Sequence, residues 1–156
     1  MLKIIVGITI TAITTFIGKK LSDKFVYRDK FFAALISFNN RLISNLSYKK
    51  EELPVFIKND FGFDDFNSTV SSLNFGLSDL GLSFPDYLKK DDVKISRDYF
   101  IAIGKQSNFA ETKYLRSMDR VFSEIKEKTA IQAEKSKSLG IKLGFSLGVI
   151  VFIIIL

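Results

Sequence analysis

Serine–lysine pairs are the first residues in this sequence whose types and spacing suggest catalysis. Ser47 with Lys50, and Ser123 with Lys126, match the S-x-x-K pattern of penicillin-binding proteins. The companion S-D-N and K-T-G motifs are absent from the sequence, and a chain of 156 residues is too short for that fold. We therefore expect no serine–lysine chemistry.

Three acidic doublets suggest a second chemistry, the paired carboxylates of a glycoside hydrolase. Neighbouring residues on a helix point in different directions, so the two acids of a doublet do not face one substrate together. Acidic residues also favour the first turn of a helix, where they offset the positive end of the helix dipole. We interpret these doublets as helix starts; they are Glu51–Glu52, Asp64–Asp65 and Asp91–Asp92.

The composition excludes most other catalytic classes. The chain has no histidine and no cysteine, which removes Ser-His-Asp and Cys-His mechanisms, disulfides, zinc fingers and iron–sulfur clusters. No G-x-x-x-x-G-K-[ST] loop is present in the sequence to hold a nucleotide. The sequence therefore predicts a protein that is not an enzyme and that uses no metal or cofactor.

Two apolar stretches give this basic chain, with a formal net charge of +6, a mean hydropathy of +0.17. Residues 4–18 and 143–156 carry no charge, but at 1.5 Å per residue they reach only about 21–23 Å, short of a hydrocarbon core of roughly 30 Å. Each reaches about 27 Å, over residues 1–18 and 139–156, if the one lysine inside it extends toward the lipid headgroups. Both stretches are predicted to span a membrane.

The sequence thus divides into a transmembrane helix at 1–18, a cytoplasmic helical bundle at 19–138 and a transmembrane helix at 139–156. Two alternatives stay open: a pair of buried core helices, or an N-terminal signal peptide followed by an apolar tail. A signal peptide carries its positive charge before the apolar region. Here Lys19 and Lys20 follow that region, which favours an uncleaved anchor.

Lysines beside the two spans predict the orientation. Bases are enriched in cytoplasmic segments next to transmembrane helices, so the middle of the chain is expected in the cytoplasm. Anionic lipid attracts such bases by about 1 kcal/mol each. Residues 59–104 hold more acids than bases, and form either a partner surface away from the membrane or ordinary solvated helix faces. The orienting lysines are Lys19, Lys20, Lys24, Lys135 and Lys137.

The apolar periodicity between the spans is helical, which predicts an all-α bundle of two long helices with shorter helices between them. No segment alternates long enough to predict a β-sheet. Basic residues mixed with phenylalanine do not indicate nucleic-acid binding, because the aromatic residues fall at core spacing. The predicted helices run from Phe31 through Leu46, from Leu53-Pro54, from Ser83 through Leu88, from Asp91 or Asp92 to Gly104, and from Phe109 to Ser138.

Small residues recur every four positions in both spans. A G-x-x-x-G-x-x-x-G pattern places small residues along one helix face, where another helix backbone can approach closely. The two faces could pack on each other within one chain or build a homo-oligomer, although glycine is frequent in transmembrane helices generally. The predicted packing residues are Gly140, Gly144 and Gly148 in the second span, and Gly7, Thr11 and Thr15 in the first.

The layout of the chain resembles that of the stage III sporulation protein AB family of endospore-forming bacteria. The resemblance follows an apolar start, LKIIVGITITAITTFIGKKLSDK, a helix ending in SNLSYKKEELPVFIKN, and a last long helix that leads into an apolar tail. Tyr48, Leu53 and Pro54 match the family's helix start. Gly104 matches a turn that continues to residue 108, and residues 135–140 match the approach to the last span.

The resemblance implies a protein of the mother-cell membrane around the forespore. Its cytoplasmic domain would be similar to the F-protein domain of type II secretion platforms. Its partners would be an ATPase like stage III sporulation protein AA and other membrane subunits of a secretion-like channel complex. The expected role is a platform or adaptor; the alternative is a membrane-anchored helical signalling or regulatory module.

Overall fold

The computed structural model describes residues 2–49, 51–74, 80–105 and 112–155. Every regular element within these ranges is helical, so the predicted all-α class is confirmed, with a long apolar helix at each end. The elements are α1 (Leu2–Ser44), a π-helical turn (Asn45–Lys49), α2 (Leu53–Phe56), α3 (Asp64–Ser71), α4 (Lys90–Lys105) and α5 (Thr112–Ile155).

The chain forms two compact units. We call Met1–Asp29 with Glu127–Leu156 the terminal helix pair, and Lys30–Lys126 the helical domain. Helix α1 runs without a break from the predicted first span through the stripe that begins at Phe31. The predicted membrane boundaries fall inside the terminal helix pair. They stay a prediction, because the division into compact units depends on contacts within the chain and not on the lipid.

Aromatic rings form the centre of the helical domain. Phe38 is fully buried, and its ring lies 4.9 to 6.3 Å, centroid to centroid, from five other aromatic rings in edge-to-face geometry. Such pairs contribute about 0.5–1.5 kcal/mol each beyond the apolar area that they bury. The stripe predicted from Phe31 therefore faces the core. The five rings belong to Phe56, Phe61, Phe66, Tyr99 and Phe100.

One polar cluster links three helices inside this aromatic core. The Tyr99 hydroxyl donates a hydrogen bond to Oδ1 of Asn39 (2.9 Å), and Nδ2 of Asn39 donates to the carbonyl of Leu115 (3.0 Å). Both side chains are fully buried. The cluster ties α1 to α4 and α5, because a buried amide must find its partners on the helices packed around it.

Tyr99 is expected to make the helical domain less stable in alkali. Burial raises the pKa of Tyr99 well above its ordinary value of 10.0, so the folded domain keeps a proton that the unfolded chain loses. This contribution to stability is complete below about pH 10 and is lost as the pH rises through the folded pKa. Urea titrations in detergent at about pH 8 and about pH 11 should show the fall.

Tyr99→Phe is the matched variant for that measurement. It should reduce the alkaline loss of stability and leave a remainder from Tyr114, because burial also raises the pKa of Tyr114. An alkaline loss as large in Tyr99→Phe as in the parent chain would show that other groups cause it.

The acidic doublets lie at helix starts. Asp64 and Asp65 occupy the first turn of α3, and Asp91 and Asp92 that of α4. A carboxylate oxygen of Asp92 accepts a hydrogen bond from the backbone N–H of Lys89 (3.0 Å), which satisfies a donor that the start of α4 leaves open. Glu52 immediately precedes α2, with Pro54 in its first turn.

The predicted helix from Ser83 through Leu88 is wrong. This segment is irregular and ends in a turn, in which the N–H of Leu88 donates to the carbonyl of Pro85 (3.2 Å). The next helix starts at Lys90, because Asp92 caps the backbone just before it, and a helix from Pro85 cannot continue through that cap. Leu82 and Leu88 are still buried in the core.

Two further predictions meet the limits of the described residues. Gly104 lies within α4 rather than in a turn, and the rest of the predicted turn, residues 106–108, lies outside the described residues. The predicted start of the last long helix at Phe109 also lies outside them, and α5 is described from Thr112.

Candidate functional site: the contact between the terminal helices

The terminal helix pair exposes most of its apolar surface. α1 and α5 each contain a window long and apolar enough to cross a membrane, and only 6% of the first window and 11% of the second is buried within the chain. Ile8, Phe16 and Ile153 expose 62%, 66% and 65% of their surfaces. A core helix of a soluble domain would be mostly buried, so the core-helix alternative loses its support.

Glycines of α5 bring its backbone directly against α1. A Cβ atom on Gly144 would lie 2.5 Å from the carbonyl oxygen of Thr14, and one on Gly148 would lie 2.6 Å from the Cα of Thr11. Real Cβ atoms essentially never approach other atoms closer than 3.0 Å. Both glycines are buried. Any larger residue at these positions must therefore move one backbone away from the other.

Gly18 of α1 belongs to the same contact and is missed by counting every fourth residue from Gly7. A Cβ on Gly140 would lie 2.5 Å from the carbonyl oxygen of Gly18, and a Cβ on Gly18 would overlap the carbonyl of Gly140. Steps of four lead from Gly7 to Lys19. A helix has 3.6 residues per turn, so a step of three is needed to stay on one face, and that step reaches Gly18.

Gly7 meets a side chain rather than a backbone. A Cβ on Gly7 would overlap the ring of Phe152, and Gly7 itself is buried. The phenyl ring thus packs onto the bare backbone of α1 and closes this end of the contact. The structure places all six predicted packing residues at the contact within one chain; they are Gly7, Thr11, Thr15, Gly140, Gly144 and Gly148.

Threonine hydroxyls in α1 bond back to their own helix. The hydroxyl of Thr11 donates to the carbonyl of Gly7 (2.9 Å), and that of Thr15 donates to the carbonyl of Thr11 (2.7 Å). Thr14 and Thr9 donate in the same way to Ile10 (3.0 Å) and Ile5 (2.9 Å). These hydroxyls therefore find their hydrogen-bond acceptors on the backbone of α1 itself.

Polar side chains continue the contact beyond the glycines. The Thr129 hydroxyl donates to Oδ1 of Asp29 (3.0 Å), and Nη1 of Arg28 donates to Oε1 of Gln132 (2.8 Å). Thr129 and Arg28 are almost fully buried. The helices are antiparallel, because α1 residues later in the chain meet earlier residues of α5, and these hydrogen bonds help to fix the register.

Thr129→Val is expected to destabilise the terminal helix pair by about 1 kcal/mol, because it keeps the buried shape and removes the hydrogen bond to the Asp29 carboxylate. Unfolding of the full chain by SDS in mixed micelles would measure the loss. Thr9→Val is the control, since its hydroxyl bonds only within α1 and it is exposed. Equal effects of the two variants would contradict a role for the Asp29 contact.

The five orienting lysines lie within one short interval along the terminal helix pair. Between the Gly18–Gly140 contact and the Asp29–Thr129 hydrogen bond, the chain places three of them on α1 and two on α5. This interval is about 16 Å long at 1.5 Å per residue. All five are exposed. We call Lys19, Lys20, Lys24, Lys135 and Lys137 the lysine belt.

The positions that carry the family resemblance have different environments. Tyr48 exposes 85% of its surface in the π-helical turn, whereas Leu53 is buried in the core at the start of α2. Pro54 is exposed and Gly104 half-buried.

The described residues hold no cluster of three or more His, Cys, Asp or Glu side chains that could bind a metal ion. Ser47 donates its hydroxyl to the carbonyl of Ile43 (2.9 Å), which is helix-internal bonding. Ser123 is exposed on α5.

No protein-family model matches the chain, and neither a curated protein nor a solved structure matches it.

Proposed function

We propose that this chain is a non-enzymatic platform subunit of a sporulation-specific, secretion-like channel complex, as its resemblance to the stage III sporulation protein AB family implies. The terminal helix pair anchors it in the mother-cell membrane around the forespore. The middle segment, residues 19–138, lies in the cytoplasm and engages an ATPase like stage III sporulation protein AA. That ATPase supplies the energy, and this chain supplies attachment and a contact surface.

The terminal helix pair is the observation that carries the proposal. Its two helices meet through bare backbone and direct their large apolar side chains outward, which suits a lipid environment, where small residues drive helix association. The lysine belt borders the apolar part on both helices, as expected at a cytoplasmic membrane surface. A membrane anchor is the function that this arrangement supports best.

Exposed acids on α4 support a basic partner for the cytoplasmic segment. Asp91 and Asp98 are exposed and lie two helical turns apart, so they share one face of α4. Complementary charge increases the rate and the specificity of association between proteins. We assign this face to the contact with the ATPase.

Cysteine labelling tests the anchor. The chain has no native cysteine, so Lys90→Cys introduces a single thiol at an exposed position at the start of α4. In non-sporulating cells that carry the chain in the plasma membrane, an impermeant maleimide should label it only after the cells are permeabilised, and the mass of the purified chain should retain the first apolar helix. Labelling in intact cells would contradict a cytoplasmic middle segment, and loss of that helix would identify a signal peptide.

Capture of the purified ATPase by the full-length chain in detergent tests the platform role. Asp91→Lys with Asp98→Lys should weaken capture at least tenfold, whereas Glu51→Lys with Glu52→Lys, which changes the charge equally at exposed positions outside α4, should not. No capture by the parent chain would contradict the platform role and favour the signalling module. Deletion of the gene should stop sporulation after engulfment; normal spores would contradict the proposal.

A further inference from the structure

An apolar groove runs along one side of the terminal helix pair. It has a volume of about 650 Å³, and its lining extends on α1 from Ile8 to Lys19 and on α5 from Ile141 to Phe152. Ala12 lines it near the middle, where the short side chain leaves space between the helices. Of the described residues that line the groove, Lys19 alone is charged.

The groove has the depth of one lipid leaflet. From Ile8 to Lys19, α1 rises about 16 Å at 1.5 Å per residue. One half of a hydrocarbon core of roughly 30 Å is about 15 Å. Lys19 belongs to the lysine belt, so with the belt at the membrane surface Ile8 lies near the middle of the bilayer. An acyl chain that enters at Lys19 can therefore lie along the groove.

Lys19 is available to a ligand at the mouth of the groove. Its side chain is exposed, and within the described part of the chain it forms no ion pair with a carboxylate. A second apolar groove of the same helix pair has a volume of about 430 Å³ and is lined by Leu21, Phe25 and Leu143 among others, with no charged residue among those described. Charge thus distinguishes the two grooves.

We propose that the larger groove binds one acyl chain of an anionic phospholipid, whose phosphate group pairs with the Lys19 ammonium. Lipid tails are as apolar as the groove itself, so apolar contact alone selects no lipid there. The selection comes from the ammonium, because basic positions between transmembrane helices on the cytoplasmic side favour anionic headgroups. This inference rests on the membrane anchor of the proposed function and is independent of the ATPase.

Native mass spectrometry of the full-length chain tests the site. The protein is exchanged into detergent with equal amounts of phosphatidylglycerol and phosphatidylcholine of the same acyl chains, and the retained lipids are counted. The parent chain should retain phosphatidylglycerol preferentially. Lys19→Gln should lower that retention about fivefold, whereas Lys20→Gln, which removes an equal charge from an exposed neighbour outside the groove, should lower it less than twofold.

Filling the groove gives a second, charge-free test. Ala12→Phe should reduce retained phosphatidylglycerol as strongly as Lys19→Gln does, and Ile13→Phe, at an exposed position outside the groove, should not. Equal losses in Lys19→Gln and Lys20→Gln, no preference between the two lipids, or undiminished retention in Ala12→Phe would each overturn the proposal.

Topology measurements keep this result separate from the proposed function. Each variant is also labelled at Lys90→Cys, which reports insertion without reference to lipid identity. Normal protection with no lipid selectivity overturns the groove proposal alone. Labelling of the parent chain in intact cells overturns the orientation of the anchor, and failure to capture the ATPase leaves the lipid measurement unaffected.

Discussion

Gly144→Leu is expected to separate the two terminal helices. Even a Cβ atom on Gly144 would lie 2.5 Å from the Thr14 carbonyl oxygen and 3.0 Å from the Cα of Thr15, and both are backbone atoms that no rotamer change can move. A leucine forces the two helix axes apart, toward the separation of about 8–10 Å at which helices pack through ordinary side chains. We expect destabilisation of about 3 kcal/mol or more.

Helix propensity alone predicts that replacing Gly144 stabilises the helix, whereas the close contact predicts a loss of stability. The sign of the measured change therefore distinguishes the two. In an isolated helix, replacing glycine by leucine or alanine stabilises by up to about 1 kcal/mol. Spin labels at Thr9→Cys and Ile150→Cys, two exposed positions at one level of the pair, would report the helix separation directly. Their distance should lengthen in Gly144→Leu, and already in Gly144→Ala.

Ser146→Leu is the matched control for the separation measurement. Ser146 is exposed two residues away on the same helix, so a large side chain there does not enter the contact. An unchanged label distance in Gly144→Leu would show that the close backbone contact does not exist in the bilayer. Equal lengthening in the control would attribute the change to the helix itself.

Asn39→Leu is expected to destabilise the helical domain by about 2–4 kcal/mol, although leucine is apolar and of similar size. The substitution leaves the Tyr99 hydroxyl buried without its Asn39 partner, which costs about 1–3 kcal/mol, and it also removes the hydrogen bond to the Leu115 carbonyl, which contributes about 1 kcal/mol. Urea unfolding of the full chain in detergent, followed by the far-ultraviolet circular dichroism, would measure the loss.

Tyr99→Phe and the double variant separate the two hydrogen bonds. Tyr99→Phe leaves Oδ1 of Asn39 buried without its donor and should cost about 1–3 kcal/mol, while Asn39 keeps its bond to Leu115. The double variant combines Asn39→Leu with Tyr99→Phe, so it has no buried Tyr99 hydroxyl without a partner. Its loss of stability should therefore be smaller than the sum of the two single losses. Additive losses would contradict a shared network.

Periodicity was sufficient to predict the large elements of this fold. The stripe from Phe31 lies in α1 and faces the core, the helix through Phe100 and Ile103 is α4, and the last long helix continues into the terminal apolar stretch as α5. These segments are long and their apolar residues recur at helical spacing, so local pattern and tertiary burial favour the same structure.

Short-range signals were less reliable where two of them competed. Ser83 and Pro85 resemble a helix start, but Asp92 caps the backbone at Lys89 and starts the helix later. The local sequence does not decide which of two capping residues starts the helix, because the start also depends on which apolar side chains pack into the core. Leu88 is buried by a turn instead of by a helix.

Contacts between residues far apart in the chain could not be predicted from the sequence for a different reason. Nothing in the local pattern connects Asn39 to Tyr99, since their bond depends on how three helices pack. In the terminal helix pair, the regular spacing indicated the glycines of α5 but not that Gly18 faces Gly140. The register of two helices is a property of both surfaces together.

The self-bonded threonines of α1 have a consequence for the biosynthesis of the chain. Thr9, Thr11 and Thr15 satisfy their hydroxyl donors on their own backbone, before any partner helix is needed. α1 can thus enter a bilayer alone at little polar cost, and pairing with α5 becomes a later, separate step. Substitutions at the glycines should accordingly yield chains that are delivered to the membrane at normal levels and fail afterwards, in assembly.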